Sequence, residues 1–144
     1  MQAPAEYHVL GPDTAALLDG ADVFDNAVLP AELARFVADP GHLLVFATVE
    51  GEVAGFASGT IILHPDKPPG LFLNELGVNE AFRRRGIATA LTNRLIDLAR
   101  AKGCRSVWLG TEPDNVAANG LYRALGGNGP QTFVLYDWDL EPPP

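Results

Sequence analysis

Residues 71–88 read LFLNELGVNEAFRRRGIA, which indicates a strand, a short loop and the beginning of a helix. The loop ends in three successive arginines, Arg83 to Arg85, followed by Gly86. The first N–H groups of a helix have no partner within it, and the helix dipole favours negative charge there. Gly86 has no Cβ, so an anion can approach its backbone closely. The stretch therefore predicts a phosphate or pyrophosphate site, although a solvated basic helix start is the other interpretation of these residues alone.

The flanking sequence predicts alternating strands and helices. After Gly86 an apolar stripe at spacings of three and four predicts a helix to Lys102, and Gly103 ends it. A strand over residues 106–111, a helix over 115–125 and a last strand over 132–140 follow. With the earlier segments the order is β-α-α-β-β-β-α-β-α-β, which indicates an α/β or α+β fold with a mixed sheet.

A second motif lies on the helix predicted over residues 115–125. Its four matching positions are Asn115, Ala118, Leu121 and Tyr122. Together with the arginine-rich turn, it resembles the acetyl-CoA-binding half of the GNAT superfamily of N-acetyltransferases. There Gln/Arg-x-x-Gly-x-Gly/Ala at one helix start is followed by Asn-x-x-Ala-x-x-Leu-Tyr on the next helix. The resemblance implies the GNAT fold: a mixed, mostly antiparallel sheet with helices on both faces and splayed central strands.

The resemblance implies acetyl-CoA as the cofactor. Backbone N–H groups of the turn would hold its pyrophosphate, a strand edge would pair with its pantetheine arm as an added strand, and Tyr122 would give a proton to the departing thiolate. The residues assigned to acetyl-CoA in this way are Leu76, Gly77, Val78, Arg83, Arg84, Arg85, Gly86, Ile87, Ala88, Thr89, Asn115, Ala118 and Tyr122. No Cys/His cluster suggests a metal.

Glu75 is the predicted catalytic base, because it interrupts an otherwise apolar strand. A protonated amine cannot attack a thioester, so a group must take its proton before direct attack in a ternary complex. A partly buried carboxylate suits that role near neutral pH. A glutamate facing solvent on a half-exposed strand is the alternative.

Length and composition predict one domain over residues 1–144, with loose tails at residues 1–5 and 142–144. The net charge of −8 argues against a nucleic-acid partner. The longest apolar runs are too short to span a bilayer, the N-terminus does not read as a signal peptide, and the chain has one cysteine, so we expect a cytoplasmic protein. Acidic residues are concentrated in residues 1–66, which favours a cationic acceptor, although an acidic surface that only keeps the protein soluble is the other interpretation.

The acceptor is predicted to be a polycationic amine. Carboxylates and one amide are expected to bind it: Asp25, Asn74, Glu75, Glu112, Asp114, Asp137 and Asp139. The chain is similar over nearly its whole length to the type I aminoglycoside 3-N-acetyltransferases, in segments such as residues 84–91 (RRGIATAL) and 136–139 (YDWD). That resemblance implies antibiotic resistance by aminoglycoside 3-N-acetylation. A polyamine, another small amine or a peptide amine is the alternative acceptor, and a non-catalytic acyl-CoA sensor is the alternative class. The apolar last strand favours a homodimer.

Overall fold

The computed structural model describes residues 2–141, and the chain forms two compact bodies, residues 1–110 and residues 111–144. The first contains five strands in the order β1-β2-β3-β4-β5. Their bounds are Ala5–Val9 for β1, His42–Val49 for β2, Glu52–Ile62 for β3, Gly70–Val78 for β4 and Ser106–Trp108 for β5. All neighbouring pairs are antiparallel except β4 and β5, which are parallel. The prediction of a mixed, mostly antiparallel sheet is confirmed.

Helices cover both faces of this sheet. Helix α1 spans Pro30–Ala38, helix α2 spans Ile87–Ala101, and 3-10 helices lie at Ala15–Leu18 and Glu80–Phe82. One face packs against the buried stripe of α2, and the other packs against α1 and the first 3-10 helix. The first helix of the predicted order is only a single 3-10 turn, Ala15–Leu18. Just before it, the Thr14 hydroxyl accepts from the Gly11 N–H and donates to the Val9 carbonyl.

Helix α2 follows the sequence prediction closely. Ile87, Leu91, Leu95 and Ala99 are buried at intervals of four residues, so the helix lays one continuous stripe on the sheet. At its end Gly103 has a φ of +90°, and the Cys104 N–H donates to the Ala99 carbonyl at 3.0 Å. This is a Schellman arrangement, which requires a left-handed residue that glycine adopts without strain.

The second body contains helix α3, Val116–Ala124, as predicted. The strand expected over residues 132–140 is absent from the structure, and that prediction is wrong. Six large apolar side chains of this segment are 67–94% exposed. Alternation of apolar and polar residues indicates only that one face is to be covered, while a strand also needs a neighbouring backbone to bond with.

The ends of the chain differ from the expectation in one respect. Strand β1 already begins at Ala5, and Ala3 packs against the core, so these residues are not a loose tail. Residues 142–144 lie outside the described residues. The prediction of a single domain stays a prediction.

Candidate active site

The turn between β4 and α2 presents unbonded backbone amides. Arg84 has a φ of +63° and Gly86 a φ of +75°, so two left-handed residues flank Arg85. Within residues 2–141, none of the N–H groups of residues 84–89 donates a hydrogen bond, and no side chain caps α2. Alternating backbone conformations of this kind make a concave anion site, and the N-terminus of α2 adds its dipole. The turn therefore has the geometry of an anion site, and its role in binding a phosphate stays a prediction.

The three arginines of the turn have different surroundings. Arg83 Nε donates to the Val78 carbonyl at 3.3 Å, and the Arg85 guanidinium donates to the Ala81 carbonyl and lies over the Phe82 ring. These two side chains tie the turn to the preceding residues. Arg84 is exposed and forms no hydrogen bond or ion pair among the described residues. It is therefore the arginine whose charge is available to an anion at the turn.

The second half of β4 has an open edge. Strand β5 pairs only with Gly70, Leu71 and Phe72, whereas β4 continues to Val78 alongside β3. Among residues 2–141, the outer edge of residues 73–78 therefore has no strand partner, which confirms the predicted splaying of the two strands. An extended ligand can pair with such an edge through main-chain hydrogen bonds. Leu76, Gly77 and Val78 lie along this edge, next to the turn.

A β-bulge decides the direction in which Glu75 points. Ser58 of β3 pairs with Glu75, but the next residue of β3, Gly59, pairs with Leu73, so Asn74 is an extra residue in β4. The extra residue reverses the alternation of side chains along the strand. Leu71, Leu73, Leu76 and Val78 consequently all pack on the α2 side. Glu75 is thereby directed to the opposite face, towards α1. In a strand without the bulge, Glu75 would instead be buried under α2.

Glu75 lines a cavity of about 320 Å³ on the α1 side of the sheet. Its buried wall is formed by Leu18, Leu44, Phe56 and Ser58, and α1 contributes Leu33 and Phe36. Three carboxylates line it, those of Asp25, Glu32 and Glu75, and all three residues are exposed. The cavity therefore has an apolar interior and an acidic rim.

The structure corrects two expectations about this site. Glu75 is exposed, not partly buried, because the bulge turns it towards the open side of the cavity. Asn74 does not line the cavity, and its side-chain amide donates to the Thr60 hydroxyl at 2.8 Å. Asn74 thus belongs to the bulge. Ser58 was missed, because only the register of β3 against β4 brings it to the cavity.

The remaining predicted residues lie in the second body. Asn115 caps α3 by accepting from the Ala118 N–H at 3.1 Å, which leaves its side-chain NH₂ without a partner among the described residues. Burial raises the pKa of the Tyr122 hydroxyl above the ordinary tyrosine value, so it keeps its proton at neutral pH. The four predicted acceptor carboxylates of this body, those of Glu112, Asp114, Asp137 and Asp139, belong to exposed residues.

Comparisons with known proteins agree with this geometry. The profile of the Acetyltransferase (GNAT) family matches residues 14–126. Aminoglycoside N(6')-acetyltransferase type 1 of Salmonella typhimurium is 29% identical over 129 residues, which cover 87% of this chain and 80% of that protein. This chain therefore belongs to the GNAT family of acetyltransferases.

Solved structures show the same fold. An aminoglycoside acetyltransferase from an uncultured soil metagenomic sample superposes with a TM-score of 0.82 at 22% identity, covering 96% of this chain and 99% of that one. AAC(6')-Iy, in complex with the bisubstrate analogue CoA-S-monomethyl-acetylneamine, superposes with a TM-score of 0.78 at 20% identity, covering 95% and 99%. Among the residues that the structure describes, no helix is both long and apolar enough to cross a membrane.

Acetyl-CoA is the acetyl donor of this family, and the first body fits it. The unbonded amides of residues 84–89 suit a pyrophosphate, and a Cβ placed on Gly86 would meet no protein atom within 4 Å, so the turn is open to a ligand. The free edge of β4 suits the amide groups of a pantetheine arm. Acetyl-CoA supplies an acetyl group activated as a thioester, and the chain supplies the groups that bind and orient it.

Proposed function

We propose that this chain transfers the acetyl group of acetyl-CoA to an amine of an aminoglycoside, and thereby confers resistance to such antibiotics. The observation that carries the proposal is the cavity with an acidic rim beside the open edge of β4. Aminoglycosides are polycations, and a cleft lined by carboxylates attracts them. The acetyltransferase names of the relatives in sequence and in structure support the same acceptor class.

The position of acetylation is the finer part of the proposal. The sequence resemblance predicted the 3-amino group, whereas the curated relative and the CoA-bound structure are both named as 6'-enzymes. We therefore propose the 6'-amino group as the acceptor. Two-dimensional NMR of the purified product distinguishes the two positions, since acetylation moves the signals of the carbon and protons next to the modified nitrogen.

Each group in the proposed reaction has a defined task. Amides of residues 84–89 and the edge formed by Leu76–Val78 hold acetyl-CoA, with Arg84 supplying positive charge. Asn115 and Ala118 remain predicted acetyl-CoA contacts. Asp25, Glu32 and Glu75 bind ammonium groups of the acceptor. Glu75 takes a proton from the reacting ammonium, directly or through water, so that the nitrogen lone pair can attack the thioester carbon. Tyr122 gives its proton to the sulfur as the carbon–sulfur bond breaks. The second proton that the nitrogen loses as the amide forms goes to solvent, from which the Tyr122 phenolate is reprotonated. Glu112, Asp114, Asp137 and Asp139 remain predicted acceptor contacts.

A thiol-release assay over a panel of amines tests the function. We expect acetyl-CoA-dependent release of thiol with kanamycin-type drugs, and much slower release with spermidine or lysine peptides. Cys104 is buried, and burial raises the pKa of its thiol, so it reacts slowly with the thiol reagent and adds little background. Faster release with spermidine or a peptide than with the drugs would indicate that a polyamine or a peptide amine, and not an aminoglycoside, is the acceptor. Tight acetyl-CoA binding with no release from any amine would indicate a sensor.

The variant Glu75→Gln tests whether Glu75 acts as the general base, by comparing its effect on turnover with its effect on acetyl-CoA affinity. Loss of a general base lowers turnover by about 100-fold or more, while acetyl-CoA affinity, measured by isothermal titration, stays within about twofold because Glu75 faces the acceptor cavity. Glu52→Gln removes an exposed carboxylate from β3 outside the cavity and serves as the matched control. Unchanged turnover in Glu75→Gln would remove Glu75 from the mechanism.

We also propose that the chain works as a homodimer, in the cytoplasm where acetyl-CoA is available. The exposed apolar segment 132–140 supports a dimer, because a second copy would cover side chains that are otherwise 67–94% exposed. Sedimentation equilibrium of the intact protein should give twice the mass of the chain. Trp138→Ser together with Tyr136→Ser should shift it to the monomer, and a wild-type monomer at micromolar concentration would contradict the proposal.

A further inference from the structure

Ser58 and Glu75 face the same cavity from neighbouring strands. They are directly paired in the antiparallel register of β3 and β4, at the edge of the bulge. Opposite residues of such a pair have Cα atoms about 4.5–5.5 Å apart and direct their side chains to the same face. Both residues line the cavity. A small ring that places one group at Glu75 therefore places a second group within reach of Ser58.

The hydroxyl of Ser58 differs from the other buried hydroxyls. Thr48 and Thr92 are 5% and 2% exposed, and each is bonded at 2.8 Å, Thr48 to His8 and Thr92 to the Ala88 carbonyl. Ser58 is 5% exposed and has no hydrogen-bond partner among residues 2–141. No fully buried side-chain oxygen or nitrogen of the described residues lacks a partner, so the Ser58 oxygen opens onto the cavity. Buried polar groups are normally bonded, which marks this one as available to a ligand.

Ser58 is also the only buried polar side chain among the residues that line the cavity. The other polar lining residues, Asp25, Asn26, Glu32 and Glu75, are exposed at the rim. The neighbours of Ser58 in the buried wall are Leu18, Leu44 and Phe56. An ammonium group at that depth would lose its hydration without a charged partner, whereas a neutral hydroxyl needs only one hydrogen bond.

We propose that Ser58 binds an uncharged ring hydroxyl of the acceptor while Glu75 binds the reacting amine of the same ring. The pair then sets which amine of a polyamino sugar is presented for acetylation, since an amine without a hydroxyl at the matching distance leaves the Ser58 hydroxyl unbonded. This inference rests on the proposed function. It assigns the buried end of the cavity to the neutral face of a sugar ring and the rim to its charges.

Kanamycin B and dibekacin test this assignment, because they differ only in the 3'- and 4'-hydroxyls of the ring that carries the 6'-amine. A neutral hydrogen bond contributes about 0.5–1.5 kcal/mol, so the wild type should favour kanamycin B in kcat/KM by roughly 3–10-fold. Ser58→Ala should lower kcat/KM for kanamycin B by the same factor and leave dibekacin within about twofold. The preference between the two drugs should then disappear. Ser58→Cys, which keeps the volume but donates weakly, should behave like Ser58→Ala with an unchanged thermal midpoint.

Ser106→Ala is the matched control, because it removes a hydroxyl from β5 outside the cavity and should retain the preference. The Ser58 assignment is overturned if Ser58→Ala retains the preference, or if it slows both drugs equally, which would indicate a structural role. A wild type that acetylates both drugs without preference also overturns it while leaving the proposed function standing. A wild type that acetylates neither drug overturns the proposed function, and the assignment with it.

Discussion

The turn at residues 84–89 is the proposed site for acetyl-CoA, and the cavity beside Glu75 is the proposed site for the acceptor. The two are built from different parts of the polypeptide. At the turn the binding groups are backbone amides, fixed by two left-handed residues and a helix start. At the cavity they are side chains, directed by one extra residue in β4. A backbone site depends on conformation and tolerates changes of side chain, whereas a side-chain site depends on register. The two sites should therefore fail in different ways.

Deleting Asn74 should have the largest effect. Without the extra residue, residues 75–78 change faces, so Glu75 would point under α2 and Leu76 and Val78 would leave the core. Burying an unpaired carboxylate and exposing two apolar side chains should lower the free energy of unfolding by about 3 kcal/mol or more, with loss of activity. Urea denaturation measures the change. Asn74→Gly retains the bulge and is the control, expected within about 1 kcal/mol of wild type; equal stability of the deletion would disprove the role of the bulge.

The variant Gly86→Val tests the site formed by the backbone amides of residues 84–89. A branched side chain is strained at a φ of +75° and would cover the open amides, so we expect the Kd for acetyl-CoA to rise by roughly 100-fold, about 2.7 kcal/mol. Gly103→Val places the same side chain at a φ of +90° in an equally open position, at the other end of α2. Both variants should lose similar stability, and only Gly86→Val should lose affinity by isothermal titration. Equal affinities would place acetyl-CoA elsewhere.

Tyr122→Phe tests the proton donor through pH. Because burial raises the pKa of Tyr122, its hydroxyl stays protonated up to at least about pH 10, and wild-type kcat should fall only as the pH rises beyond that value. The phenylalanine variant should be slower by about 100-fold at pH 7 and should lack this alkaline fall. Steady-state rates from pH 7 to 11 measure both. An alkaline fall that persists unchanged in Tyr122→Phe would assign the proton to another group.

Arg84→Gly should have the smallest effect, and it distinguishes backbone from side chain within the turn. Glycine keeps the left-handed conformation, so only the guanidinium is lost, and the Kd for acetyl-CoA should rise by no more than about fivefold. The free energy of unfolding should stay within about 1 kcal/mol of wild type, because relief of strain offsets the greater freedom of glycine when unfolded. Glu50→Gly relieves the same strain in the β2–β3 hairpin turn and should leave affinity unchanged. A loss of acetyl-CoA affinity as large as that of Gly86→Val would show that the charge of Arg84, and not the backbone amides, dominates binding at the turn.

Elements with local signals were predicted well. The stripe on α2, its glycine stop and the span of α3 all depend on residues within a few positions of one another. Elements that depend on a distant partner were not. The Thr132–Leu140 alternation formed no strand, and the partial burial expected of Glu75 did not occur, since neither the sheet neighbour nor the bulge can be read from residues near them in the sequence.

The sequence by itself determined the family, most of the order of the helices and strands up to α3, and the left-handed turn before α2, because helix starts and glycine conformations are local properties of the chain. Only the tertiary structure decided the acceptor side. The pairing of Ser58 with Glu75 and of Gly59 with Leu73 fixes where the extra residue falls, and α1 supplies the opposite wall of the cavity. Strand register joins residues far apart in the sequence, and a shift of one position moves every later side chain to the other face.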